Sequence, residues 1–285
     1  MKKIFAKLAA LVLALGMAGS CAQAQESINV ISREDGSGTR GAFIELFGIE
    51  QKDADGNKVD YTTDDCDITN STSVMMVSVS GNKNAIGYIS LGSLNDTVKA
   101  VKIDGVAPSV AAIKEGAYKI ARPFNIATGE AVSQQAQAFM DFIMSAEGQK
   151  VIEDKGYIPV NDKATPFVGS NLAGKVVVAG SSSVSPVMEK LKEAYLLVNP
   201  NAEIEIQQSD SSAGMNAVRD KICDIGMASR ELKESELAAG IRPLVIAMDG
   251  IAVIVSNDNP VTGLTRDQVK AIYTGEVTDW GEVTK

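Results

Sequence analysis

The sequence contains no histidine among its 285 residues. This absence excludes a Ser-His-Asp or Cys-His nucleophile, a His-Glu-x-x-His zinc site and an imidazole general base, because each of these needs the imidazole ring. Aromatic residues make up only 5% of the chain, so its cores must be mainly aliphatic. Basic residues are also fewer than acidic residues, 27 against 36. The formal net charge of −9 argues against a nucleic-acid partner, because such a partner requires a basic surface.

The first 20 residues have the pattern of a signal peptide. Lysines at positions 2, 3 and 7 precede the apolar run Leu8–Met17, which is too short to span a bilayer. Two cleavage sites fit. Ala18-Gly19-Ser20-Cys21 is typical of a bacterial lipoprotein whose Cys21 becomes the lipidated N-terminus, whereas Ala22-Gln23-Ala24 suits ordinary signal peptidase. We favour lipidation of Cys21, because a cysteine directly after Gly-Ser at the end of such a run is seldom accidental.

Strand and helix patterns alternate along the rest of the chain, which predicts an α/β protein with mainly parallel sheets. The apolar runs Ala85–Leu91, Lys175–Ala179 and Gly250–Ser256 predict buried strands. Val132–Lys155 is the longest stretch with helical periodicity. Asn161–Gly174 contains proline and glycine with little periodicity, so we expect a linker there.

Three segments share one design, in which a strand is followed by glycines and hydroxyl residues and then by a helix. They are Ser32–Thr39 (SREDGSGT), Gly180–Ser183 (GSSS) and Ser209–Gly214 (SDSSAG). Free backbone N–H groups at a helix N-terminus favour an anion, and the hydroxyls add further donors. Any one such turn is more often an ordinary helix cap than a ligand site. Three of them together favour a shared anion site.

Arg33 is the cation within these turns. Its planar guanidinium suits an oxyanion, and Asp35 could hold it in place. A surface ion pair with Glu34 or Asp35 explains Arg33 equally well on sequence alone. The same turn matches the dinucleotide pattern G-x-G-x-x-G. However, the acidic strand end that a ribose requires is missing about 20 residues later, so the match is weak.

Several longer motifs together resemble the phosphate-binding proteins of bacterial ABC transporters, the PstS family. They are SREDGSGTRGAF, AIGYISL, AGSSSVSP, DSSAG, DIGMASREL, DGIAVIVSNDNPV and LTRDQVKAIYTGEVTDW, and they cover almost all of Ser27–Lys285. The resemblance implies a type II periplasmic-binding-protein fold, in which two α/β lobes enclose a ligand cleft. It also implies an exported, non-enzymatic monomer without cofactor or metal, which captures inorganic phosphate and delivers it to the membrane permease of an ABC importer.

The order of these motifs differs from that of the family. Gly174–Lys285 resembles the family's first half and Ser27–Val160 its second half. The chain therefore resembles a circularly permuted member, in which Asn161–Gly174 joins the original termini. A gene model that spans two tandem copies would give the same polypeptide, so this alternative stays open.

The permuted order implies one discontinuous lobe and one continuous lobe. We expect residues 27–93 and 250–285 to form the first, and residues 94–249, with the linker 161–174, to form the second. If the permutation holds, Ser27 and Lys285 should lie close together at the surface of one lobe.

The resemblance also assigns roles to individual residues. Ligand contacts fall on Ser182, Ser183, Ser211, Ser212, Arg33, Ser37, Gly38 and Thr39. Asp35 matches a carboxylate that orients the arginine. Some members carry an aspartate that accepts the proton of hydrogen phosphate, but Ser229 stands at that place here. We therefore expect Asp249, at the crossing between the lobes, to supply the acceptor, and a purely structural strand end is the equal alternative.

Two other functions remain open on sequence alone. A phosphoester hydrolase could use Ser182 or Ser183 as its nucleophile, although no activating lysine or carboxylate stands beside them. A phosphate sensor or a surface protein could use the same binding fold without transport. In each case an acidic chain repels phosphate at long range, so binding would depend on hydrogen bonds, helix ends and Arg33.

Overall fold

The computed structural model describes residues 26–283, so the predicted signal peptide and Cys21 lie outside the described residues. The strands are Asn29–Arg33 (β1), Glu50–Lys52 (β2), Lys58–Asp60 (β3), Asp67–Thr69 (β4), Ala85–Ser90 (β5), Lys99–Ala100 (β6), Lys102–Ile103 (β7), Ala121–Thr128 (β8), Ile158–Pro159 (β9), Gly174–Ser181 (β10), Ala202–Ser209 (β11), Ile225–Ala228 (β12), Arg242–Val255 (β13) and Gly263–Leu264 (β14).

Helices alternate with these strands. They are Gly38–Phe47 (α1), Thr72–Ser80 (α2), Val110–Lys114 (α3), Gln134–Met144 (α4), Ala146–Asp154 (α5), Ser185–Val198 (α6), Ser211–Arg219 (α7), Glu234–Ala238 (α8), Arg266–Tyr273 (α9) and Trp280–Val283 (α10), with one 3-10 turn at Leu91–Ser93. Between residues 26 and 283, no helix combines the length and the apolar character needed to cross a membrane.

The main sheet has the strand order β11-β10-β12-β8-β13-β5-β1-β4, and β6 and β9 also pair with β13. Near one end β1 pairs in parallel with β4 and β5, and near the other β10 pairs in parallel with β11 and β12. In the middle, β8 and β13 run antiparallel to each other and to their outer neighbours. The predicted α/β class is confirmed, with an antiparallel pair between two parallel groups.

The buried side chains form two separate groups of cores. One group comes from residues 30–120 and 251–280, and the other from residues 124–247. We call residues 26–120 with 251–283 the first lobe, and residues 121–250 the second lobe.

The first lobe therefore extends to residue 120, beyond the limit of 93 that the resemblance suggested. Val101, Tyr118 and Ile120 belong to its core. The reason is that the segment after residue 93 turns back to pair through β6 with β13 before the chain crosses to the second lobe.

The chain passes between the lobes in β8 and β13, which lie side by side. At the crossing, Ala121 pairs with Gly250 and Arg122 with Asp249. We call these two crossing strands the hinge.

The two ends of the described chain meet on the first lobe. Ser27 forms an antiparallel bridge with Asp279, and the Ile28 N–H donates to the Thr278 carbonyl oxygen at 2.8 Å. Lys285 itself lies outside the described residues. Adjacent ends of this kind are what a circular permutation requires.

The helical stretch expected at Val132–Lys155 is two helices instead of one. Ser145, with φ −74° and ψ 170°, separates α4 from α5. Its hydroxyl donates to the Phe142 carbonyl oxygen at 2.6 Å and accepts from the Gly148 N–H at 3.2 Å. A serine can thus end one helix and begin the next without any break in the apolar pattern.

Gly214 marks a close approach between α7 and β10. A Cβ atom there would stand 2.8 Å from the Ala179 carbonyl oxygen and 2.8 Å from the Gly180 Cα. We expect Gly214→Ala to lower the free energy of unfolding by about 2 kcal/mol, because backbone must move apart. Chemical denaturation measures this. Gly129→Ala is the control, since nothing lies within 4 Å of its added Cβ. Equal stability of the two variants would contradict the close approach.

Candidate functional site

Four helix N-termini meet between the two lobes. The first lobe supplies the starts of α1 and α2, and the second lobe those of α6 and α7. Each helix follows a strand of a parallel group, and the carboxyl ends of parallel strands share one edge of a sheet. The buried polar residues at this place are Arg33, Ser37, Thr39, Thr72, Ser181, Ser182, Ser183, Ser211 and Ser229.

Side chains of the two lobes contact each other directly in this site. The Arg33 Nη2 group donates to the Ser182 Oγ atom at 3.1 Å. The Thr39 Oγ1 and Ser183 Oγ atoms lie 2.8 Å apart. Four of the residues expected to bind the ligand are therefore brought together, two from each lobe.

Arg33 is buried, with only 2% of its surface exposed. Its Nε and Nη2 groups donate to the two carboxylate oxygens of Glu34, at 2.8 and 2.7 Å. This bidentate pair fixes the plane of the guanidinium. The remaining donors of the fork can then be directed at a ligand.

The expectation that Asp35 orients Arg33 is wrong, because Glu34 does so. The Asp35 side chain is 96% exposed and forms an ion pair with Arg40 at 2.7 Å. Arg40 in turn donates to the Arg33 carbonyl oxygen at 2.8 Å. Asp35 therefore supports the turn only indirectly, through its ion pair with Arg40.

Ser211 and Ser229 complete the second-lobe side of the site. The Ser229 N–H donates to Ser211 Oγ at 3.1 Å, and Ser181 Oγ donates to Ser229 Oγ at 2.9 Å. Gly38 of α1 packs against both, since a Cβ on it would stand 2.4 Å from Ser211 Oγ and 2.8 Å from Ser229 Oγ. The absence of a side chain at Gly38 lets the start of α1 reach the opposite lobe.

Ser37 and Ser212 lie at the edge of this cluster. Ser37 caps α1, with its Oγ accepting from the Arg40 N–H at 3.3 Å. The Ser212 N–H donates to the Gly36 carbonyl oxygen of the first lobe at 3.1 Å. Its Oγ accepts from Arg230 at 3.2 Å. Both residues shape the site, and the Ser212 hydroxyl faces an arginine outside the hydroxyl cluster.

Thr72, the first residue of α2, is a site residue that the sequence reasoning missed. Its Oγ1 lies 3.2 Å from Ser183 Oγ, and its N–H donates to Ser182 Oγ at 3.4 Å. The sequence pattern that could have identified Thr72 is Asn70-Ser71-Thr72-Ser73, which follows β4 and begins a helix. β4 is short and polar, so it gives no apolar run to mark a strand.

Asp249 lies beside the site, in contact with other groups. Its Oδ1 accepts from Ser90 Oγ at 3.0 Å, and its Oδ2 accepts from Arg122 Nη2 at 3.2 Å. Burial raises the pKa of the Asp249 carboxyl to about 6, although Arg122 and Ser90 act in the opposite direction. Ser229, which stands where some family members carry the aspartate, contacts the site hydroxyls instead.

The site is rich in hydrogen-bond donors and poor in bases. Within the described chain, the hydroxyls of Ser182 and Ser183 contact Arg33, other hydroxyls and the Thr72 N–H. None of these groups takes up a proton at neutral pH. The arrangement can therefore hold an anion, and it offers neither serine a general base.

Comparison with known proteins identifies relatives of this chain. A family model described as a PBP superfamily domain matches residues 3–147 and 166–284. The phosphate-binding protein PstS 2 of Streptococcus agalactiae is 52% identical over 280 residues, or 96% of this chain and 95% of that protein. The crystal structure of a phosphate ABC transporter phosphate-binding protein from Streptococcus pneumoniae TIGR4 is 46% identical with a TM-score of 0.71. The match covers 90% of this chain and 100% of that one.

The phosphate-binding protein PstS of Pseudomonas aeruginosa matches over a shorter stretch, with 32% identity over 129 residues and 40% of each chain. The continuous match to the Streptococcus agalactiae protein shows that a relative shares the motif order of this chain. A shared order argues against a gene model joined from tandem copies. The chain belongs to the PBP superfamily and, within it, to the family of the phosphate-binding proteins PstS.

Proposed function

We propose that this protein captures inorganic phosphate outside the cytoplasm and delivers it to the membrane permease of an ABC importer. One observation carries the proposal: four helix N-termini and a buried arginine converge on one place between two lobes. Phosphate oxygens accept several hydrogen bonds at once, and the groups here are amides, hydroxyls and a guanidinium. The names of the relatives, which are phosphate-binding proteins, support the same ligand.

Ligand capture by closure of the lobes follows from the contacts that cross the cleft. Arg33 and Thr39 of the first lobe contact Ser182 and Ser183 of the second. An ion that accepts hydrogen bonds from both lobes binds the closed arrangement more tightly than the open one. It therefore shifts the population toward closure.

Ser229 is the acceptor that we propose for the proton of hydrogen phosphate. A hydroxyl can accept as well as donate, and the Ser229 Oγ lies among the site hydroxyls. Sulfate carries no proton at neutral pH, so it cannot donate this hydrogen bond, which between neutral groups contributes about 1 kcal/mol. A hydroxyl can also rotate to donate, which makes its discrimination weaker than that of a fixed carboxylate.

We also propose that the chain is a circular permutation of the usual family order and that it is lipid-anchored at Cys21. The adjacent ends at Ser27 and Asp279 and the short match to the Pseudomonas aeruginosa protein support the permutation. The Ala18–Cys21 motif supports the anchor.

Calorimetric titration with phosphate and sulfate tests the proposed function. We expect saturable binding of phosphate and weaker binding of sulfate. Arg33→Met should weaken phosphate binding at least about tenfold, because it removes the charged donor. Absence of phosphate binding by the wild-type protein would overturn the proposal, and turnover of a chromogenic phosphoester would favour the hydrolase.

Thr72→Val removes one hydroxyl of the site at nearly constant volume. We expect phosphate affinity to fall about three- to tenfold, since a hydrogen bond between neutral groups contributes about 1 kcal/mol. Ser80→Ala, at the exposed end of the same helix, is the matched control. The same affinity in both variants would remove Thr72 from the site.

Cys21→Ala tests the anchor. We expect the wild-type protein to fractionate with membranes and the variant to be released, because the variant lacks the lipidated cysteine. Mass spectrometry of the mature chain supplies the second measurement. A mature N-terminus at Gln25 in the wild-type protein would show cleavage after Ala24 instead, and would exclude the anchor.

A further inference from the structure

Two side chains of the crossing strand β8 bind the backbone that leaves β12. The Arg122 Nη1 group donates to the Ser229 carbonyl oxygen at 3.0 Å. The Asn125 Nδ2 group donates to the Arg230 carbonyl oxygen at 2.9 Å. The β-ladder between these strands ends where Ala228 pairs with Asn125. Beyond that point, side chains of β8 replace the ladder as partners of the β12 backbone.

Arg122 is itself held from the neighbouring crossing strand. Asp249 stands directly opposite it on β13 and accepts from its Nη2 group at 3.2 Å. The other oxygen of Asp249 accepts from Ser90 of the first lobe at 3.0 Å. A continuous buried series of hydrogen bonds therefore runs from Ser90 through Asp249 and Arg122 to Ser229.

Stability alone does not explain a buried ion pair at this place. Asp249 is 1% exposed and Arg122 is 3% exposed. Burial raises the pKa of Asp249 and lowers that of Arg122, which shows that desolvation disfavours both charges. Neutral side chains of similar volume are often as stabilising as such a pair. What an apolar pair could not supply is the donor that Arg122 directs at the Ser229 carbonyl.

We propose that Arg122 and Asn125 are positioning residues, which hold the Ser229–Arg230 backbone in the anion site while Asp249 fixes Arg122 at the hinge. This inference rests on the proposed function and deepens it. The Ser229 N–H and Oγ both contact other serines of the site. A shift of its backbone therefore changes several donors at once, and phosphate affinity depends on residues that need not touch the ion.

The test uses variants that leave no buried charge unpaired. Arg122→Met combined with Asp249→Asn neutralises the pair, and Asn125→Leu removes the second contact at similar volume. Tyr118→Phe is the matched control, because the buried Tyr118 hydroxyl donates to the Ile251 carbonyl oxygen near the hinge at 2.7 Å without contacting Ser229. Each variant is measured for its phosphate dissociation constant and for its free energy of unfolding.

We expect the neutralised pair and Asn125→Leu each to raise the phosphate dissociation constant about tenfold or more, with Tyr118→Phe close to the wild type. In the variant that combines Arg122→Met, Asp249→Asn and Ser229→Ala, the loss of affinity should be smaller than the sum of the separate losses, since part of each loss acts through Ser229. Unchanged affinity in the neutralised pair, or additive losses in the combination, would overturn the inference.

Hydrogen exchange of the ligand-free protein tests the same contacts without phosphate. The amides of residues 228–231 should exchange faster in Asn125→Leu and in the neutralised pair than in Tyr118→Phe. Equal exchange in all three would overturn the inference even if the wild-type protein binds phosphate. Wild-type protein that fails to bind phosphate would instead overturn the proposed function, while the exchange rates still decide the positioning role.

Discussion

A buried anion must receive hydrogen bonds from most directions. The strands and helices of this chain are arranged in a way that meets this requirement. The overall charge is −9, so no long-range field draws an anion in. Attraction must come from groups within bonding distance, and only helix starts and short hydroxyl side chains supply many donors in a small volume. Two groups of parallel strands, one in each lobe, place four helix starts at one cleft. The sheet arrangement is thus the means by which an acidic protein builds a site for an anion.

The same requirement explains why the site is shared between lobes. Donors from one lobe could cover one side of a tetrahedral ion, and the rest must come from the other side after the ion has entered. The proposed closure therefore depends on β8 and β13, where the chain crosses. Because Arg122 and Asp249 lie on these two strands and reach Ser229, the hinge and the site share one hydrogen-bonded series.

Much of this could be read from the sequence, and the failures have physical causes. The turns at Arg33, Ser182 and Ser211 were predictable, because strand, hydroxyl run and helix follow one another closely. Thr72 was missed because its strand is too short and polar to show an apolar pattern. The partner of Arg33 could not be chosen between Glu34 and Asp35, since neighbouring carboxylates differ only in the direction that the turn gives them. The resemblance identified the two lobes, but it could not show that the chain turns back through β6 before crossing.

The long strand β13 also determines the order in which the lobes can fold. The second lobe is one continuous segment, 121–250, whereas the first lobe needs residues 251–283 to join residues 26–120. A chain made from its N-terminus can therefore complete the second lobe while the first still lacks a central strand. Until Ile251–Val255 has been synthesised, the apolar strand Ala85–Ser90 has no partner at the edge where β13 will pair with it. The second lobe can therefore be completed before the first, whose sheet still needs Ile251–Val255 beside Ala85–Ser90.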